Sequence, residues 1–93
     1  MAKLNELLPE QTKAYFAFHK EVFKDGEIDK KTKELIAIAV GNAILCEPCI
    51  ESHAQKARAL GCTDKQIAEA IAVAAAVRTG SVLTHAEHAF PEE

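Results

Sequence analysis

Apolar residues recur along this chain at three- and four-residue spacings and almost nowhere alternate strictly with polar ones, so the pattern predicts helices. A first helix is expected from about Pro9 to Lys24, with Pro9 suited to its first turn. Phe16, His19 and Phe23, with Tyr15 and Val22 beside them, form its apolar face. "KDGEID" breaks the pattern, and Asp29 offers an N-cap for a second helix, about Lys30 to Leu45. Its opening "KKTK" reads as a solvated turn, and its second half, "LIAIAVGNAIL", is apolar nearly all round. A third helix begins at the cysteines, with Pro48 near N1, and stops where Gly61 follows Leu60. Thr63 and Gln66 make a capping box for a fourth helix that continues to Arg78 and is closed by Gly80. "SVLTHAEHAF" reads as a short fifth helix before Pro91.

The fourth helix carries a message about assembly. From Ile67 to Val77 only Glu69 is polar, so most of its circumference needs cover. The other short helices of a 93-residue chain cannot easily supply it. Its alanines permit close helix–helix approach, which suits a second subunit better than a monomer's core. The expectation is an all-α fold of about five helices, residues 1–93 forming one domain, packed into a homo-oligomer. No repeat, low-complexity tract or linker divides the chain.

Composition narrows the function. The formal charge of −3 is mild, its basic residues are interspersed with acidic ones, and Trp is absent. A nucleic-acid partner would ask for a basic face and stacking aromatics. "MAKLNELLPEQ" lacks the apolar core of a signal peptide, and no apolar run is read as approaching the roughly 18–20 residues of a membrane span. Three cysteines are too few, and odd in number, for a stapled secreted scaffold. A cytoplasmic protein with normally reduced thiols is expected, with no membrane partner and no cofactor.

The chemistry concentrates in "ILCEPCIESH". Residues three apart on a helix share a face, with Cα atoms roughly 5–6 Å apart, inside the window for a disulfide. Cys46 and Cys49 can therefore bond and reopen with little backbone movement. His53 lies four residues after Cys49 on the same stripe. A helix N-terminus favours thiolate, but it typically contributes only about 0.3–1 kcal/mol. Bringing a thiol pKa from about 8.5 to about 7 requires roughly 2 kcal/mol, so His53 is the second source of activation. A zinc site from Cys46, Cys49, His53 and Cys62 is the rival reading. Zinc sites usually pair two ligand clusters, whereas Cys62 stands alone after a helix-ending Gly and reads as a small buried hydrophobe. Glu34 begins a stripe through Ile38, Gly41, Asn42 and Leu45 on a buried face. A carboxylate there requires a partner; an imidazole would serve, and helical geometry leaves open which one.

The spacing Glu34, eleven residues, Cys46-x-x-Cys49, three residues, His53 resembles the E-x11-C-x-x-C-x3-H signature of the AhpD-like alkylhydroperoxidases, in the carboxymuconolactone decarboxylase superfamily. The resemblance extends from about the first helix to the fourth. It implies an all-α fold assembled into trimers or hexamers with active sites near subunit interfaces. It implies that Cys49 attacks peroxide through a sulfenic acid, that Cys46 closes the disulfide, and that Glu34 and His53 relay protons. An external dithiol or a flavoprotein would restore the pair. The substrate would be a small-molecule peroxide or, in a general reductase, a disulfide. The decarboxylase branch of the superfamily lacks the cysteine pair, which argues for the redox branch and leaves a lactone decarboxylase-like enzyme as the alternative. Fully sized alkylhydroperoxidases are about twice as long, which leaves peroxide specificity open.

Other candidates read as structural. His85 and His88, with Glu87 and Glu92 around them, suit a solvated face. His19 suits a core or interface position. Arg78 suits a helix C-terminus or an intersubunit ion pair.

Overall fold

The residue before a proline is pushed out of helical backbone, and Leu8, at φ −131° and ψ 63°, splits the N-terminal segment in two there. In the computed structural model, which describes residues 1–91, the result is α1 (Ala2–Leu7) followed by α2 (Pro9–Val22). The hydrophobic pattern did not predict α1, which is exposed throughout. Thr12 is buried and its hydroxyl donates to Asn5 Oδ1 at 2.9 Å, tying α2 to α1. His19 is half-buried, its ring stacked on Phe23 at 4.5 Å between centroids. These elements lie in one compact unit, Met1–Lys30, and the chain from Lys31 onward forms another.

The second unit is built on α3 (Lys30–Ala43), α4 (Glu47–Ala59) and α5 (Asp64–His85). No strand occurs among the described residues, so the all-α expectation holds. The core is small: Ile38 of α3, Ala57 of α4, Cys62 from the α4–α5 turn and Ile67 of α5, with Leu35 and Ala54 packed against it. Cys62 is thus the buried apolar residue its position suggested. Thr63 caps α5 as expected: its hydroxyl accepts from Gln66 N–H at 3.1 Å, and the Gln66 side chain accepts from Thr63 N–H at 2.9 Å.

Two boundaries differ from the pattern. The second predicted helix ends at Ala43 rather than Leu45, for a reason given below. More consequentially, α5 does not stop at Gly80. It continues to His85, and a 3-10 turn over Ala86–Ala89 replaces the expected fifth helix. A mid-helix glycine costs only about 1 kcal/mol, and Gly80 does not take the positive φ of a helix-ending glycine. Thr79 and Thr84 donate their hydroxyls to the carbonyls of Ala75 and Gly80, so neither competes with the helix. Arg78 is therefore mid-helix, not a C-terminal charge. Read as one element, residues 64–89 are long and apolar enough to cross a membrane by length and composition, which the division at Gly80 had concealed. Val73, Val77, Val82 and Leu83 stay exposed, Val77 to 66%.

Candidate active site

The end of α3 determines where both cysteines go. Leu45 turns left-handed, at φ +57°. Its N–H donates to Asn42 O at 3.2 Å, and Cys46 N–H donates to Gly41 O at 2.9 Å. This pair of bonds is a Schellman cap. The same motif closes α4, where Gly61 takes φ +92° and Cys62 N–H reaches Ala57 O at 2.9 Å. Glycine adopts such backbone freely; for leucine it costs roughly 1–2 kcal/mol.

The cap delivers Cys46 to the N-cap position of α4, with Glu47 and Pro48 next and Cys49 at N3. Pro48 lacks an N–H, so the early amide donors at this helix end belong to Glu47 and Cys49. An N-cap side chain accepts from the N2 or N3 amide, so a reduced Cys46 thiolate has the Cys49 N–H as a natural donor. In the structure Cys46 and Cys49 are bonded to each other, with Cα atoms 5.2 Å apart. Both are half-buried.

Gly41 lets α3 and α4 approach at this level. A Cβ there would sit 3.3 Å from Ile50 Cγ1, tighter than ordinary packing, and in contact with Cys49 Cβ at 3.4 Å. Further from the turn, the two helices meet again through Glu34 and His53. Glu34 is 2% exposed, and its Oε2 lies 2.7 Å from His53 Nδ1. The His53 side chain is 12% exposed. The partner that Glu34 requires is thus the histidine of the cysteine stripe. With Glu34 ionised, Nδ1–H donates to the carboxylate, and proton exchange falls to Nε2. His53 stands four residues after Cys49, one turn further along α4, and side chains on a helix lean toward its N-terminus, which here is the direction of that cysteine.

The structure therefore gathers Glu34, Cys46, Cys49 and His53 on one helical hairpin. It does not gather the zinc set: Cys62 lies in the core, and no cluster of three or more His, Cys, Asp or Glu suited to a metal occurs among the described residues. His85 and His88 contact edge to face, with centroids 5.4 Å apart, on exposed backbone. Glu92 lies outside the described residues. Sequence reading missed two features that shape the site, the left-handed Leu45 and the crossing at Gly41. Only the glycine carried a signal, as a residue without a side chain inside an apolar helix.

The sequence profile of the carboxymuconolactone decarboxylase family matches residues 9–92. An uncharacterised protein of the cox locus of Paracoccus denitrificans is 50% identical over 77 residues, 83% of this chain and 69% of that protein. A crystal structure from Methanobacterium thermoautotrophicum is similar with a TM-score of 0.86 at 36% identity, covering 91% of this chain and 96% of that one. A carboxymuconolactone decarboxylase family protein of Thermotoga maritima, for which a part in an antioxidative response has been suggested, gives 0.70 at 31% identity over 87% of this chain and 84% of its own.

Proposed function

This chain belongs to the carboxymuconolactone decarboxylase family, and we propose that it acts there as a thiol-dependent peroxidase whose Cys46–Cys49 pair cycles between dithiol and disulfide. The observation that carries the reading is the bonded pair at a helix N-terminus with the buried Glu34–His53 dyad one turn away. A lactone decarboxylase has no use for two sulfurs in bonding range. The antioxidative role suggested for the Thermotoga protein points the same way.

In the proposed cycle His53 takes the thiol proton of Cys49, and Glu34 stabilises the imidazolium and holds the ring in register. The Cys49 thiolate attacks the terminal peroxide oxygen, the O–O bond breaks, and the alkoxide leaves as an alcohol with the proton from His53. Cys46 then displaces water from the Cys49 sulfenic acid and forms the disulfide. Two electrons have moved from two thiols to one peroxide. An external dithiol or a flavoprotein returns them by exchange at the disulfide, in the reducing cytoplasm. The helix end favours thiolate at Cys46, while the imidazole acts on Cys49; the family resemblance assigns the first attack to Cys49. The same pair meeting a disulfide instead of a peroxide would make a general disulfide reductase.

The exposed valines and leucine of α5 fit burial against further copies, in a trimer or hexamer. A membrane-spanning α5 fits less well, because Arg78 would then sit in the hydrocarbon at a cost of about 3 kcal/mol. The test of the activity is peroxide-dependent thiol loss by the reduced protein, with a mass decrease of about two hydrogens mapped to the peptide spanning both cysteines. Cys49→Ser is expected to abolish it. Wild type that leaves peroxide untouched sinks the reading, and a Cys49→Ser variant that still decarboxylates a lactone acid assigns the chain to the other branch.

A further inference from the structure

The turn that replaces the expected fifth helix brings two imidazoles together. His85 ends α5 and precedes the 3-10 turn Ala86–Ala89, and His88 follows three residues on. At 3.0 residues per turn, side chains three apart eclipse, so the change of helix type sets both rings on one side. Their centroids are 5.4 Å apart and their planes are tilted by 67°. Both residues are exposed. Apart from this ring contact, neither imidazole has a hydrogen bond or ion pair with a described residue. A Zn–N bond of about 2.0–2.1 Å, with roughly 1.1 Å from a ring nitrogen to the ring centre, puts each centroid about 3.2 Å from a shared ion. Two imidazoles at a tetrahedral angle on one ion would then have centroids about 5.2 Å apart. The observed spacing matches that value, and exposure leaves both rings free to aim a nitrogen at the same point. Each ring also borders open space: His88 lines a cavity of about 320 Å³ with Glu87 and Phe90, and His85 lines a recess shared with Arg78. Arg78 stands two turns back, about 10 Å along the helix axis, where salt largely screens its charge.

We propose that His85 and His88 form a two-histidine site for a divalent transition-metal ion of the kind that imidazole favours, Zn²⁺ or Cu²⁺. Mg²⁺ and Ca²⁺ take oxygen ligands, and this pair supplies nitrogen alone. No third His, Cys, Asp or Glu among the described residues joins the pair. The remaining coordination positions fall to water, so the ion is exchangeable, unlike the closed four-ligand sites of structural zinc. The site is separate from the cysteine pair and does not depend on the peroxidase reading.

Titration of the untagged full chain with ZnCl₂, CuCl₂ and MgCl₂ tests this, at about pH 7.5, where free imidazole is mostly neutral. The Cys46–Cys49 disulfide is kept closed, because the thiolate is itself a metal ligand. Calorimetry is expected to show one ion per chain, with Cu²⁺ tighter than Zn²⁺ and no saturable Mg²⁺ binding. The ring-proton signals of His85 and His88 should shift with Zn²⁺ while those of His19 and His53 stay in place. His85→Gln and His88→Gln should each weaken Zn²⁺ binding at least about ten-fold, because the second ligand binds intramolecularly once the first has bound. Both variants should keep the wild-type melting temperature, since both side chains are exposed. Binding that survives in either variant overturns the proposal, as does a shift confined to His53. No saturable binding by about 1 mM Zn²⁺, or Mg²⁺ bound as tightly as Zn²⁺, overturns it as well. Half an ion per chain, the signature of a bridge between two copies, overturns the site within one chain.

Discussion

Replacing the buried carboxylate tests whether it serves stability or chemistry. Glu34 and His53 are held at 2.7 Å in nearly full burial. A hydrogen bond to a charged group contributes about 1.5–3 kcal/mol, and a buried donor deprived of its acceptor costs about 1–3 kcal/mol. Glu34→Leu removes the acceptor but restores apolar volume, so a loss of about 2 kcal/mol is expected. His53→Leu strands a buried carboxylate, and breaking a buried pair from one side costs about 3–5 kcal/mol. The double variant removes both polar groups and fills the space with hydrocarbon, which is often neutral or stabilising. Its stability should lie within about 1 kcal/mol of wild type, so the double-mutant cycle should yield a coupling of at least about 4 kcal/mol. The measurement is urea unfolding of the reduced chains followed by circular dichroism, at one protein concentration because association shifts apparent stability. Peroxide-dependent thiol oxidation should meanwhile fall about 100-fold or more in all three variants. Additive losses in the double variant, or wild-type oxidation by any of the three, would refute the coupled dyad.

Three further outcomes are expected. Gly41→Val places methyl groups against Ile50 and Cys49 and should destabilise the protein by about 1–3 kcal/mol while slowing disulfide closure; a variant with unchanged melting temperature and closure rate contradicts the close crossing. Cys62→Ala should cost about 1 kcal/mol from a small core void and leave oxidation at one disulfide per chain, read by thiol titration. Val77→Glu, on the exposed part of α5, should lower the assembled mass measured by light scattering without preventing disulfide formation; an unchanged mass removes Val77 from any subunit interface.

Much of the fold was legible because its caps are local. The Thr63–Gln66 box, Pro9, Pro48 and Gly61 each announce a helix boundary through residues within a few positions of one another. Gly80 misled because a glycine ends a helix only when the backbone beyond it turns left-handed, and nothing local to Gly80 requires that turn. α1 was missed because six residues with no buried face leave no periodic signal. At the site, the cysteine stripe followed from helical spacing alone. The identity of the partner to Glu34 did not, since it depends on how two helices cross, and that is a tertiary quantity.

The spacing of the motif reflects that crossing. Glu34 and Gly41 are seven residues apart, about two helical turns, so the carboxylate and the gap at Gly41 share one face of α3. Cys46 and His53 are likewise seven apart, so both cysteines and the imidazole share one face of α4 from its cap onward. The Leu45 turn joins the two faces by tying Cys46 N–H to Gly41 O. An added residue in either helical stretch would rotate one face by about 100° relative to the other, and Glu34 would lose His53. The strained leucine thus occupies the one position through which the register of α3 is passed to α4, where a substitution can alter the meeting of sulfur, imidazole and carboxylate without touching any of them.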